Sequence, residues 1–354
     1  MGDNTNTISP IAGHGTSRLP AVDVISYNLE TRDDEGFIGD RVNKGAFREI
    51  LDDWREKISG SGDDPFGDVA TEDISKKQLE EALGGSDAEA AGLLHAAIED
   101  YAKSLAGVIR RFLKLKAWRD TERIVMGGGF RAGRIGELAI GRTAILLKAA
   151  DINIDVQPIR NDPNEAGLVG AIHLAPSWIF KAHDAILAID IGGTNIRAGV
   201  VALNLNKAKN LSKAAVWKSE LWRHSDEETS REDAVARMVE ILEGLIARSQ
   251  KEKLKLAPFI GIGCPGIIEE DGRIDRGAQN LPGNWESSKF NLPQALREAI
   301  PKINKDETHI VMHNDAVVQG LSEVPFMGDV ERWGVLTIGT GLGNASFVNR
   351  SAGK

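Results

Sequence analysis

Three short segments of this chain hold residue types that could do phosphoryl chemistry. The first is Asp190-Ile191-Gly192-Gly193-Thr194-Asn195, where an apolar run ends in a carboxylate and turns through two glycines. Glycine lets backbone N–H groups approach phosphate oxygens with no Cβ in the way. Asp190 suits a hydrated Mg²⁺ held through water, and Thr194 and Asn195 add neutral donors. An ordinary Gly-Gly hairpin turn is the alternative reading. The second segment, Leu336-Thr337-Ile338-Gly339-Thr340-Gly341-Leu342-Gly343-Asn344, is again an apolar run into a glycine turn with hydroxyls. A strand pattern at 345–348 leaves it, so the context is a hairpin. A dinucleotide fingerprint needs a helix after its glycines. Between the two stands Val311-Met312-His313-Asn314-Asp315-Ala316. Asp315 is suited to take a proton from a substrate hydroxyl, and Asn314 to fix a neighbouring one. A plain helix cap at Asp315 competes with that reading.

Two further loops follow strand patterns, Gly263-Cys264-Pro265-Gly266 and Asn280-Leu281-Pro282-Gly283-Asn284-Trp285. Asn280 and Asn284 offer the paired donors and acceptors that sugar hydroxyls need, and Pro282 and Gly283 hold the loop in shape. A structural loop with an internal Asn turn is the alternative. Trp285 reads as a packing residue.

The elements that must carry these segments alternate between strands and helices, which implies an α/β layered fold. Residues 1–45 are Gly-rich and irregular, with a strand-like patch at 21–27. A helix is expected at 45–58 and a loop at 59–68. Ser75 with Gln78 and Ser86 with Glu89 fit the capping-box spacing. Leu94, Ile98, Tyr101, Leu105, Val108 and Phe112 then step by three and four, one apolar helix face ending in Arg110, Arg111, Lys114 and Lys116. A strand at 123–126 runs into Gly127, Gly128 and Gly129. Helix 135–150, strand 154–159, a small-residue helix at 164–175 and a connector at 176–183 follow. Strands are expected at 186–190, 196–203, 215–220, 259–263, 309–313 and 334–338, with helices at 230–251 and 315–322.

The whole chain bounds the answer. Its 354 residues, 42% hydrophobic and 27% charged, are enough for two folded domains. A net charge of −9 argues against nucleic acid, which needs a basic footprint. No apolar run approaches the roughly 18 residues that span a bilayer, and the first residues lack a basic start and an apolar stretch. No membrane partner and a cytoplasmic location are expected. One cysteine, Cys264, excludes an intramolecular disulfide and a multi-cysteine metal site.

Together these segments resemble the ROK family of sugar kinases. LAIDIGGTNIRAGVV is similar to its first phosphate motif, and GIGCPGIIEEDGRI and NLPGNW to its substrate-side loops. HNDAVVQGLSE is similar to its catalytic Asp segment, LTIGTGLGNASF to its second phosphate motif, and ERIVMGGGF with EAGLVGAIHLA to its adenosine side. The resemblance implies a two-domain actin-like (RNase H-like) ATPase fold with an interdomain active-site cleft. It implies ATP-dependent phosphorylation of a hexose hydroxyl, with glucokinase-like activity foremost. A non-catalytic sugar-sensing protein of the same family is the alternative, and polyphosphate as donor stays open. Asp315 would be the base. Amides around Gly192, Gly193, Thr340 and Gly341, with Gly339, would hold the triphosphate, Asp190 the Mg²⁺, and Gly127 to Gly129 the adenosine. Asn280, Gly283, Asn284 and Asn314 would contact sugar. Family members are often dimers or tetramers, so a homo-oligomer is expected.

Two departures stand out. The motif order is circularly permuted: the family's usual C-terminal portion occupies residues 1–175 and runs into its usual N-terminus. Domain termini are often close, which makes such a rearrangement tolerable. The expected domains are a smaller one, 184–312 with helix 164–178, and a larger one, 1–160 plus 313–354. The family's cysteine-rich zinc motif is also missing, so no structural zinc is expected. The family's E-x-G-H sugar segment has its nearest match at Ile11-Ala12-Gly13-His14, with Ile in the Glu position. His14, and more loosely Asp40, are thereby sugar-contact candidates. Glu30, Asp33, Asp34 and Glu35 read as a solvated acidic loop.

Overall fold

The computed structural model describes residues 13–34, 36–60, 62 and 64–350. Ile11, Ala12 and Glu35, and residues 61 and 63 of the 59–68 loop, lie outside the described residues. The chain is mixed α/β and divides into two compact units, Met1–Asn28 with Glu165–Glu331 and Phe347–Lys354, and Leu29–Asn164 with Arg332–Ser346. Of the described residues, 13–28, 313–331 and 347–350, all expected in the larger domain, fall in the first unit. For 313–331 the reason is that the strand ending at Asn314 belongs to that unit's sheet.

In chain order the elements begin with β1 (Val22–Tyr27), the two-residue ladder β2 (Arg32–Asp33) and β3 (Gly36–Phe37), α1 (Lys44–Ser59) and α2 (Lys76–Gly84). Next are α3 (Ala88–Phe112), β4 (Arg123–Gly127), α4 (Arg134–Ala149) and β5 (Asp155–Pro158). Then come α5 (Ala166–Gly170), β6 (Ala185–Ile191), β7 (Ile196–Ala202), β8 (Ala215–Trp222), α6 (Arg231–Lys251) and β9 (Leu256–Cys264). The remainder is α7 (Leu292–Ala299), the ladder β10 (Lys302–Ile303) with β11 (Asp306–Glu307), β12 (His309–Asn314), α8 (Asp315–Leu321), β13 (Arg332–Ile338) and β14 (Leu342–Asn349).

The first unit is organised on a sheet with strand order β12-β9-β6-β7-β8. Strands β6, β9 and β12 run parallel, while β7 is antiparallel to β6 and β8 to β7. Every residue of β6 is buried except Asp190. A central strand covered on both faces reads as a continuous apolar run, and here the one break in it is a carboxylate at the carboxyl end. Ala234, Met238, Ile241, Leu242 and Leu245 of α6 join the core formed by this sheet. Helix α5 packs on α8 so closely that a Cβ on Gly170 would lie 1.7 Å from the Val318 carbonyl oxygen. The helix expected over 164–175 is accordingly split into α5 and a 3₁₀ turn, Ala171–Leu174.

In the second unit the neighbouring strands are β14, β13, β4 and β5, in that order, with β13, β4 and β5 parallel. This sheet draws strands from two stretches of sequence separated by the first unit's elements. Each of the six stripe residues of α3 is buried, contributing on the order of 1.5–3 kcal/mol apiece for the large side chains. The capping box at Ser75 and Gln78 is present. At α3, however, the cap is Asp87 and not Ser86: its carboxylate accepts from the Glu89 and Ala90 amides, a charged acceptor at the positive pole of the helix. Helix α7 has no counterpart among the expected elements, although Asn291 caps it and Pro293 sits in its first turn.

Candidate active site

Parallel order brings the carboxyl ends of β6, β9 and β12 together, the edge where α/β sheets take their ligands. Asp190 and His313 both pair in register with Gly263 of the middle strand. Gly263 sits between the two acids: a Cβ there would lie 3.3 Å from Val318 Cβ, 3.5 Å from Asp315 Cα and 3.6 Å from Asp190 Oδ1. Asn314, not Asp315, caps α8: its Oδ1 accepts from the Ala316 and Val317 amides at 3.0 and 3.3 Å. Asp315 is thereby the first residue of the helix, its carboxylate not needed as the cap. The Asn314 side chain is buried and its Nδ2 donates to the Gly266 carbonyl at 3.0 Å, which ties the cap to the Cys264–Gly266 loop.

Half-buried Asp315 has its pKa pushed up to about 7. Burial is the largest cause and the negative charge of Asp190 the second; hydrogen bonds from the backbone and from Asn314 oppose them. Burial also raises Asp190, opposed by Arg197, its partner across the β6–β7 ladder. Buried Cys264 is pushed up by burial and then by both acids. Among the described residues no group of three or more His, Cys, Asp or Glu could hold a metal ion. The charge of Asp190 hinders the ionisation of Asp315, and carboxylate oxygen is the donor type that a hydrated Mg²⁺ takes.

The 192–195 turn closes on itself: the Gly192 amide donates to the Asn195 carbonyl at 2.8 Å. The 280–285 loop reaches this turn, since a Cβ on Gly193 would lie 3.3 Å from the Asn280 Cβ. Asn280 is exposed. Gly283 has φ +76° and abuts Arg231, whose guanidinium donates to the Asn284 carbonyl. Asn284 Oδ1 accepts from the Glu286 amide at 3.0 Å, an internal Asn turn. Trp285 is buried and donates to the Pro282 carbonyl, as a packing residue would.

His14 lies along the edge of β12. Its Nδ1 accepts from the Met312 amide at 3.1 Å, while the Gly15 amide donates to the Met312 carbonyl at 3.0 Å. The rest of its ring faces Gly272, and its pKa is lowered, by burial first and then by Arg297. The described ring contacts therefore seat His14 on a strand edge. His313 is buried with Nε2 donating to the Thr16 carbonyl and Nδ1 accepting from Asn314, and burial lowers it to about 4. Asp40 is exposed in the second unit. Asp33, expected in a solvated loop, is instead paired with Arg41 and Arg111.

In the second unit, the segments around Gly127 and Gly339 are side by side because β4 and β13 pair with Gly127 opposite Thr337. Gly128 has φ +83°, and a Cβ there would fall 2.3 Å from the Ile338 carbonyl oxygen. Gly129 begins a 3₁₀ turn. The Gly339 amide closes its turn on the Gly341 carbonyl, and the Gly339 carbonyl accepts from Lys44 at the start of α1, both at 2.9 Å. Thr340 and Gly341 are exposed.

Three residues of the first unit take their place from tertiary contacts. Gly167, within the EAGLVGAIHLA segment that resembles the family's adenosine side, instead abuts the Asp190 carboxylate. Gly263, within the segment that resembles a substrate-side loop, lies between the two acids. His224 bonds the Gly192 carbonyl, and nothing in its local sequence marks it.

Residues 186–353 match the family model for the ROK family. A glucokinase of Thermotoga maritima is 29% identical over 160 residues, 45% of this chain and 43% of that protein, so the match spans less than half of the relative's length. Among solved structures, a candidate N-acetylmannosamine kinase from Listeria monocytogenes is 23% identical with a TM-score of 0.34, over 47% of each chain. A ROK hexokinase from Thermus thermophilus is 20% identical with a TM-score of 0.29, over 45% of each chain. Scores of this size do not establish a shared fold.

Proposed function

Through residues 186–353 the chain belongs to the ROK family, and on that premise we propose that it transfers the terminal phosphoryl group of ATP to a hexose hydroxyl. One observation carries the reading: Asp315, released from capping by Asn314 and held near pKa 7 beside Asp190, is poised to exchange a proton near neutral pH. Asp315 would orient the sugar hydroxyl and accept its proton as the oxygen attacks phosphorus. Asn280, Gly283, Asn284 and Asn314 are the proposed sugar-side residues. The turn from Gly192 to Asn195 is the proposed phosphate turn of the first unit, with Gly193, Thr194 and Asn195 as its donors, since the Gly192 amide is already bonded to the Asn195 carbonyl. In the second unit Gly339, Thr340 and Gly341, with Gly127, Gly128 and Gly129, are the proposed nucleotide residues. Asp190 would hold Mg²⁺ through water, and the cation would offset charge on the transferring group.

The strand order and directions in the first unit support an actin-like arrangement. Assembly of the second unit's sheet from two separated stretches supports a circular permutation. A cytoplasmic homo-oligomer fits the family, and among the described residues no helix is long and apolar enough to cross a membrane. The test is ADP release over a panel of hexoses with ATP and Mg²⁺; no turnover with any of them overturns the reading. The seating of His14 on the β12 backbone favours a second reading, a sugar-binding protein without catalysis. Sugar binding without ADP release would select it.

A further inference from the structure

We propose that the 3₁₀ turn His224–Asp226 aims the phosphate-facing amides of the 192–195 turn, with His224 as a positioning residue; this rests on the phosphate role proposed for that turn. His224 is 4% exposed and stands two residues past Trp222, the last residue of β8, which pairs with Ile196 at the start of β7. That register sets residues 224 and 225 beside the glycine turn. His224 Nε2 lies 2.8 Å from the Gly192 carbonyl oxygen. A carbonyl only accepts, so Nε2 carries the hydrogen. One residue on, the Ser225 amide donates to the Thr194 carbonyl at 3.3 Å. The Trp222 ring meets the imidazole edge-on, with centroids 5.9 Å apart, and limits its movement.

A planar trans peptide points its C=O and the following N–H in opposite directions. With the Gly192 carbonyl held by His224, the Gly193 amide must face away from the 224–226 turn. With the Thr194 carbonyl held by Ser225, the Asn195 amide must do the same. Two amides of one short turn are thus directed to one side, the arrangement that makes a backbone concavity bind anions. The Gly192 amide is excluded from this role, because it closes the turn on Asn195. Gly192 and Gly193 would otherwise carry wide backbone freedom, lost at the moment of binding. The imidazole removes part of that freedom beforehand, which is preorganisation.

The test compares His224→Gln with His224→Met in the full chain. The two side chains are close in length and volume, and only glutamine can donate to the Gly192 carbonyl. KM for MgATP and kcat are measured together with the melting temperature. The Gly193 amide resonance is also followed during titration with magnesium pyrophosphate. The expected result is a roughly tenfold higher KM for MgATP in His224→Met, with kcat changed less and His224→Gln near wild type, the size of one lost hydrogen bond. Equal losses in both variants would mean packing alone and would overturn the proposal, as would wild-type KM in His224→Met. If the wild type shows no turnover at all, the kinase reading fails and the amide decides. A pyrophosphate shift present in wild type and His224→Gln but lost in His224→Met supports the positioning role. No shift in wild type overturns it.

Discussion

Gly167 is packed against the carboxylate of Asp190: a Cβ on residue 167 would lie 2.5 Å from its carboxyl carbon and 2.6 and 2.7 Å from its two oxygens. Helix α5 therefore brings bare backbone up to the one incompletely buried residue of the central strand. Gly167→Ala must displace either the carboxylate or the helix. A loss of about 1–3 kcal/mol, the scale of overpacking, is expected in denaturant unfolding, together with a fall in hexose phosphorylation. An alanine variant with wild-type midpoint and turnover would show that the acid can move freely.

Asp315→Asn keeps the shape of the side chain and removes the base. Turnover is expected to drop by roughly 10²–10⁴-fold with the fold intact by circular dichroism. Stability should move the other way. The folded pKa of about 7 lies above the ordinary value of 3.8, so the folded chain keeps a proton that the unfolded chain has already released. This contribution is fully present below about pH 4 and is lost as pH rises through 7. Asp315→Asn should thus melt at a higher temperature than wild type at pH 8, with the difference shrinking toward pH 4.

The same shift sets the pH profile of catalysis. A base must be ionised to accept a proton, so kcat/KM should rise with pH through an acid limb near 7. Part of the shift comes from the charge of Asp190, and Asp190→Asn should move the ionisation of Asp315 to lower pH. Carboxyl carbon shifts of Asp315, followed by NMR against pH, read this whether or not turnover survives. An unchanged midpoint would remove the coupling between the two acids.

Asn314→Ala removes the cap of α8 and the bond to Gly266. A buried cap of this kind should cost about 1–2 kcal/mol. Asn314→Asp retains the acceptor for Ala316 and Val317 but loses the donor to the Gly266 carbonyl, and it adds a third negative charge beside Asp190 and Asp315. The aspartate variant should accordingly be destabilised more at pH 8 than at pH 5 in chemical unfolding.

Gly128→Ala meets two obstacles at once, a φ of +83° and the Ile338 carbonyl oxygen at 2.3 Å. A cost of at least about 2 kcal/mol is expected in the second unit. Faster amide exchange at Arg123–Gly127 and Arg332–Ile338, with β6 and β9 unaffected, would locate the damage there.

Much was legible in the primary order because the signals are local. The apolar stripe from Leu94 to Phe112, the box at Ser75 and Gln78, and the run ending at Asp190 each lie within a few turns of chain. The phosphoryl-transfer role proposed for Asp315 and the two glycine turns starts from equally local motifs. Tertiary structure alone decided the rest. Asn314 and Asp315 are adjacent and both competent caps; in the fold β12 ends at Asn314, whose side chain caps α8 and bonds the Gly266 carbonyl, so Asp315 becomes the first helical residue. Only the parallel pairing of β6, β9 and β12 set Asp190 close enough to Asp315 to alter its proton affinity. His14 was taken up by the edge of β12, nearly three hundred positions away in the sequence. His224 and Gly167 acquire meaning solely from the carbonyl and the carboxylate they meet. Periodicity and turn chemistry are properties of neighbouring residues; the charge, hydrogen-bond partner and free space at a side chain are set by whatever the folded chain brings against it.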